Sequence, residues 1–204
     1  MQSWPDTAGV IANGLLPLLR ISLSASTVLS QAHDEDSRRS PPMTYQPFHL
    51  HGGARRSRWV VTCDHATNTV PPSVGGGDLG LAAPDMERHI AYDVGAAGVA
   101  RALADLLDAP AVLSNFSRLV IDPNRGPDDP TVLMKLYDGT VIPANRDADT
   151  AEKQRRIAAF YEPYHNAVEQ IAGRYDDAVL VAVHSFTPRL AGRHPRPWHV
   201  GILH

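Results

Sequence analysis

From Trp59 onward, short apolar runs alternate with longer amphipathic stretches. Trp59–Cys63 is a β-branched run and predicts a strand. Val70–Pro84, with Pro71-Pro72 and Gly75-Gly76-Gly77, predicts a loop. Asp85 can cap a long helix whose apolar face would run Met86, Ile90, Val94, Ala97 and Ala104, ending near Leu107 before Asp108–Pro110. Ala111–Asn115 and Leu119–Ile121 predict two short strands around Phe116–Arg118, and Pro123–Pro130 a turn-rich loop. A second long helix should start at Asp149, which has capping-box spacing to Glu152, and Pro163 should kink or divide it. Ala178–Val183 is uniformly apolar, as expected of a strand buried on both faces, and Trp198–Leu203 predicts a last strand. This alternation predicts an α/β fold, a three-layer α/β/α arrangement around a central mixed, mostly parallel sheet. The chain stops as the last predicted strand finishes, so the domain reads as C-terminally incomplete.

The first part of the chain follows no such pattern. Ser24–Pro42 is rich in Ser, Asp, Arg and Pro and cannot bury enough apolar surface to offset the entropy of ordering it. Residues 1–46 therefore read as a disordered or spurious extension, with Met43 an alternative start, and residues 47–204 as the working domain. Gly9–Leu19 is apolar, but no basic residue precedes it and Arg20 interrupts its far side, so it makes a poor signal peptide.

Composition adds limits. A chain of 204 residues suits one well-buried domain. A formal net charge of -3 gives no reason to expect nucleic acid or an anionic membrane as partner, and no apolar run is long enough to span a bilayer. The single Cys63 excludes an internal disulfide framework and fits a reducing, cytoplasmic setting.

Two predicted strands end on histidines, His65 and His184. Ligands of open α/β sheets collect outside the carboxyl ends of the strands, and two imidazoles delivered there with acids nearby are the parts of a metal site. His65 is equally suited to a capping or hydrogen-bonded loop role, with Asp64 a candidate to orient its ring. Cys63 competes as a nucleophile, but its place inside an apolar run favours an inert thiol. On a helix Asp85, His89 and Asp93 would share one face, with Glu87 pointing elsewhere. Ser117-Arg118 and Asp122-Pro123-Asn124-Arg125 offer two arginines suited to a carboxylate ligand, or to an Asp–Arg pair that ties down a loop. His184-Ser185 lacks the nucleophile elbow of a serine hydrolase, which leaves metal as the better reading of His184. His165, His194 and His199 read as helix-surface or loop residues.

Cys-Asp-His-Ala-Thr-Asn, Glu-Arg-His-Ile-Ala-Tyr-Asp-Val-Gly-Ala, Ser-Arg-Leu-Val-Ile-Asp-Pro-Asn-Arg and Val-His-Ser-Phe-Thr-Pro follow one another in this order. Together, and with Arg196-Pro197-Trp198-His199-Val200-Gly201-Ile202, they resemble the N-formylglutamate amidohydrolase family from about Pro47 to the last residue. The resemblance implies a phosphorylase/hydrolase-like fold similar to the zinc-dependent exopeptidases. It also implies hydrolysis of the N-acyl amide of an acidic amino acid, releasing formate and glutamate from N-formylglutamate in histidine degradation. Its cofactor would be Zn2+ or another divalent transition metal, held by His65, Glu87 and His184, with Asp85 or Asp93 the alternative carboxylate to Glu87. Asp64 and His89 are the candidate catalytic residues. Arg118, Asn124, Arg125 and Ser185 would bind a small substrate bearing carboxylates. Position 68 is Asn where such exopeptidases often carry the Glu of His-x-x-Glu, and the resemblance places a general-base glutamate beyond His204. Three readings follow: this hydrolase, a hydrolase of another N-acyl amino acid or short peptide, or a truncated, non-catalytic relative with a residual pocket.

Overall fold

Hydrogen bonding sorts the apolar runs into a four-stranded mixed sheet. The structure, a computed structural model, describes residues 45–190, 192–197 and 199–202, so the predicted leader up to residue 44 lies outside the described residues. The strands are β1 (Phe48–His51), β2 (Trp59–Cys63), β3 (Ala111–Ser114) and β6 (Val179–Ala182), in the order β1-β3-β2-β6. β2 runs parallel to both β3 and β6, and β1 pairs antiparallel with β3. A two-stranded ribbon, β4 (Leu136–Tyr137) and β5 (Thr140–Val141), turns through Asp138 and Gly139, both at positive φ, as a two-residue hairpin requires.

Alternation along β2 sends its side chains to two faces. Val61 and Cys63 pack with Ala111 and Leu113 against the small-residue stripe Ala96, Ala100 and Ala104 of α2 (Ala96–Leu106). Asp64, just past the strand, meets Tyr164 of α4 (Glu162–Ala172). Among the described residues no helix is long and apolar enough to cross a membrane.

Several expectations are corrected. The helix predicted from Asp85 to Leu107 is two helices, a single turn α1 (Ala83–Met86) and α2, with residues 87–95 forming turns between them. Long-range bonds take the backbone of this segment. Asp93 N–H donates to His65 O at 2.9 Å, and Ala91 O accepts from Ser117 Oγ at 2.7 Å and Arg118 N–H at 3.2 Å. Gly95 at φ +81 then turns the chain into α2, a conformation only glycine adopts without strain. Asp85 consequently lies inside α1 rather than at its cap. Leu119–Ile121 is fully buried but forms turns, not a strand. β6 is apolar throughout, yet its burial alternates between partial and exposed, because it is the edge strand and only β2 pairs with it among the described residues. His199–Ile202 carry no strand, and Trp198 and Leu203 lie outside the described residues.

The second helix behaves as its sequence dictates. Asp149 caps α3 (Thr150–Arg156) by accepting the Glu152 N–H at 2.9 Å. Pro163 cannot donate a backbone bond, and just before it the ladder widens into a π turn over Ile157–Tyr161, closed by Glu162 N–H on Ile157 O. One inserted residue makes the eight-residue interval from Arg156 to Tyr164 equivalent to two α turns, of about 3.6 residues each. Both side chains are buried on the same side as a result.

Arg156, only 2% exposed, donates to Val120 O at 2.9 Å and to Asn145 Oδ1 at 2.8 Å. Asn145 donates in turn to Leu119 O at 2.8 Å and Met134 O at 2.7 Å. This knot fixes the turn that leads from Arg118 to Asp122. Asn145→Ala would strand two buried carbonyls, at about 1–3 kcal/mol each. The expected loss is roughly 2–6 kcal/mol of unfolding free energy in urea titration. A loss below about 0.5 kcal/mol, the ordinary surface range, would show that the knot holds nothing.

Candidate functional site

The carboxyl ends of β2 and β6 deliver His65 and His184 side by side, their ring centroids 5.1 Å apart. Asp93, on the turn segment between α1 and α2, lies between them. Its Oδ2 is 2.8 Å from His184 Nδ1 and 3.4 Å from His65 Nδ1, and it also accepts the Ser185 N–H at 3.3 Å. His65, Asp93 and His184 can each offer one ligand atom, all within 4.8 Å of one another, and so could hold a metal ion.

Each imidazole is held from behind through its other nitrogen. His65 Nε2 donates to Asp122 Oδ1 at 2.7 Å, and His184 Nε2 faces Asp64 Oδ2 at 3.4 Å. This carboxylate–histidine arrangement is the usual outer support of a metal ligand. Asp64 therefore backs His184 rather than His65, because its own neighbour in sequence is turned toward Asp122. Arg118 bridges the acids, donating to Asp93 Oδ1 at 3.3 Å and Asp122 Oδ2 at 3.0 Å. His65 and Asp122 are out of water, and Asp93 nearly so. The His184 side chain is 33% exposed and forms the open side.

His65 Nδ1 is buried and has no hydrogen-bond partner. With Nε2 committed to Asp122, a neutral His65 would turn a bare lone pair toward the Asp93 carboxylate. Such an arrangement is repulsive unless a proton or a cation lies between. Charge tells the same story. Asp64, Asp93 and Asp122 against one Arg118 leave two negative charges, matched either by two protonated histidines or by one divalent ion between neutral ones.

The ionisation of the groups follows. Burial opposes the charged forms of Asp64, Asp93 and Asp122, but the histidines and, for the last two, Arg118 outweigh it and hold all three below the usual carboxylate range. Burial likewise opposes a charged His184, yet Asp64 and Asp93 push it up to about 10, and Asp122 leads in raising His65. Cys63, behind the cluster, is buried and pushed up to about 12 by burial, then by the charges of Asp64 and Asp93. A thiol so held is a packing group, not a nucleophile.

The other sequence candidates fall in three places. Glu87 is turned away from the cluster, accepting from Asn68 Nδ2 at 3.0 Å and Tyr92 OH at 3.2 Å, and Asp85 pairs with Arg88 at 2.8 Å. The carboxylate that meets the two histidines is thus Asp93, because the chain between α1 and α2 is tied down by Asp93 N–H on His65 O. His89 and Ser185 line a cavity of about 300 Å³ with Val94, Phe186, Thr187 and Pro188, next in the chain to Asp93 and His184. Burial and the charges of Arg88, Arg118 and Arg196 outweigh Asp138 and hold His89 below its ordinary value. Arg118 pairs through its terminal nitrogens with the buried acids Asp93 and Asp122, and its buried Nε has no partner. Asn124 N–H closes a turn onto Asp122 Oδ1 at 2.9 Å, and Arg125 keeps a buried Nε without a partner.

Sequence reasoning missed Asp122 as the support of His65, Tyr164 as a partner of Asp64, and Arg196, whose guanidinium lies 5.4 Å from the Phe186 ring. The Asp-Pro-Asn-Arg motif signalled Asp122. Nothing local signalled Tyr164.

Strand-end imidazoles converging on a carboxylate give this α/β sheet a candidate metal site near a cavity. The family model for N-formylglutamate amidohydrolase matches residues 57–204. The chain belongs to that family. A crystal structure of a gene product from Agrobacterium tumefaciens is 36% identical, with a TM-score of 0.66 over 70% of this chain and 57% of that one. The crystal structure of N-formylglutamate amidohydrolase from Ralstonia eutropha JMP134 shares the fold at 24% identity, with a TM-score of 0.56 over 74% of this chain and 63% of that one. The chain thus spans roughly three fifths of the length of these two structures. Comparison with the curated proteins found no match.

The His184 shift sets a pH dependence. Its folded value is raised, so its contribution to stability is whole below the ordinary value of 6.5 and is lost as pH rises toward about 10. Denaturant titrations of the metal-free protein should show stability falling across that window, and His184→Gln should flatten the fall. A wild-type profile that rises or stays level there would contradict this assignment.

Proposed function

We propose that this protein takes part in metal-dependent hydrolysis of the N-acyl amide of an acidic amino acid, N-formyl-L-glutamate being the first candidate. The observation that carries the reading is the buried, unpartnered His65 Nδ1 turned toward Asp93, with His184 on the same oxygen. His65, Asp93 and His184 would hold the ion, and Zn2+ suits a set of two imidazoles and a carboxylate. Bound there, such an ion supplies Lewis-acid polarisation of the amide carbonyl and lowers the pKa of a bound water toward about 7. The sheet, as the middle of three layers, holds the strand ends rigid.

The protein's own residues do the rest. Asp122 and Asp64 take the Nε2 side of each ring, leaving each Nδ1 turned toward Asp93, where it would coordinate once deprotonated. Arg118 keeps Asp93 and Asp122 ionised and oriented. His89, neutral and facing the cavity within the field of Arg88, Arg118 and Arg196, favours an anionic substrate there and can donate one hydrogen bond to it. Arg125, with its partnerless Nε, is the second candidate for a substrate carboxylate. A cytoplasmic location fits the reduced, buried Cys63.

A second reading has its own observation. Val94, Phe186 and Pro188 give the cavity an apolar wall, which would accommodate an acyl group larger than formyl.

Titration with Zn2+ at pH 7 in buffers of different ionisation enthalpy should show one site and release of about two protons, because both histidines must deprotonate. Asp93→Asn should weaken binding by at least ~100-fold, since even an outer partner is worth ~10–100-fold. Hydrolysis of N-formylglutamate, compared with N-acetyl- and longer N-acylglutamates, should require the ion and rank the acyl groups. Full hydrolysis by the metal-free protein would sink the mechanism.

A further inference from the structure

We infer that Tyr164 is a positioning residue for His184 and acts through Asp64. Tyr164 lies on α4 and is 1% exposed. Its hydroxyl donates to Asp64 Oδ1 at 2.5 Å, while Asp64 Oδ2 faces His184 Nε2 at 3.4 Å. The phenol therefore grips one carboxylate oxygen and leaves the other for the imidazole.

The two histidines differ in how much they need such help. His65 is enclosed, and Asp122 holds it through a short bond with Arg118 behind. His184 follows the edge strand, is one-third exposed, and has two side-chain anchors, Asp93 and Asp64. Its ring orientation depends on where Asp64 points. A carboxylate can pivot about its last torsion, and the second anchor supplied by Tyr164 stops that rotation. The π turn over Ile157–Tyr161 lies between Arg156 and Tyr164, and both side chains are buried.

Tyr164→Phe removes only the hydroxyl, and Asp64→Asn is the companion variant if the first folds poorly. In the metal-free protein, long-range ring 1H–15N correlation spectra should show the His184 nitrogens shifted or broadened in either variant, with the His65 signals little changed. Zn2+ affinity, a readout that rests on the metal-site reading above, should fall about tenfold in Tyr164→Phe, at the low end for an outer partner. In an Asp64→Asn background the same change should cost nothing further, because its effect runs through that carboxylate. Unaltered His184 signals in Tyr164→Phe, whatever its melting temperature, would overturn the inference and leave Tyr164 a core residue. Shifted His184 signals in a protein that takes up no Zn2+ would uphold the positioning role and refute the metal reading alone.

Discussion

Three carboxylates, one guanidinium and two imidazoles share a largely buried space in which His184 is the most exposed member. Burying that many ionisable groups is costly unless their charges cancel and their lone pairs and protons are matched. Here the matching is nearly complete, and it determines the rest of the structure. Asp122 answers His65, Asp64 answers His184, and Arg118 answers both Asp93 and Asp122. The residual mismatch lies at His65 Nδ1, which faces Asp93, and at Arg118 Nε, both buried without a hydrogen-bond partner. A cluster with two negative charges in excess of its arginine must gather two protons or a dication, and this ties its stability, its pH response and its proposed chemistry to one balance.

Much of the surrounding architecture exists to hold that cluster. The segment between α1 and α2 gives up helical bonding to fasten Asp93 against the His65 carbonyl. The Arg156–Asn145 knot pins the turn that carries Asp122. The π turn ahead of Pro163 aims Tyr164 at Asp64. These supports come from separate parts of the chain and meet only at the strand ends, where open α/β sheets bind their ligands. The cavity is lined by Val94 and Ser185, the chain neighbours of Asp93 and His184, and of the two rings His65 is enclosed while His184 is one-third exposed. The region matched by the family model contains every member of the cluster.

Local signals in the sequence were dependable where one residue's chemistry decides. β2, the Asp149 cap and the break at Pro163 were legible, because β-branching, a side-chain oxygen before a helix and a missing N–H act on their own neighbours. His65 and His184 were legible for the same reason, each ending an apolar run. The long helix after Asp85 was misread because Ile90, Val94 and Ala97 do fit a helical period. The bonds that override it run to Ser117, Arg118 and His65, and no local window contains them. Leu119–Ile121 looked like a strand because it is apolar, although its burial comes from a tied turn.

The sequence by itself determined the strand ends, the two histidines, the acidic and arginine residues available to them, and the family. Only the tertiary structure decided that Asp93 and not Glu87 lies between the rings, that Asp64 serves the distant histidine, and that Arg118 bridges two buried acids. Those outcomes turn on which acid oxygen comes nearest which nitrogen in space. Residues as far apart in the chain as Asp93 and His184, 91 positions, share no periodicity that could reveal it.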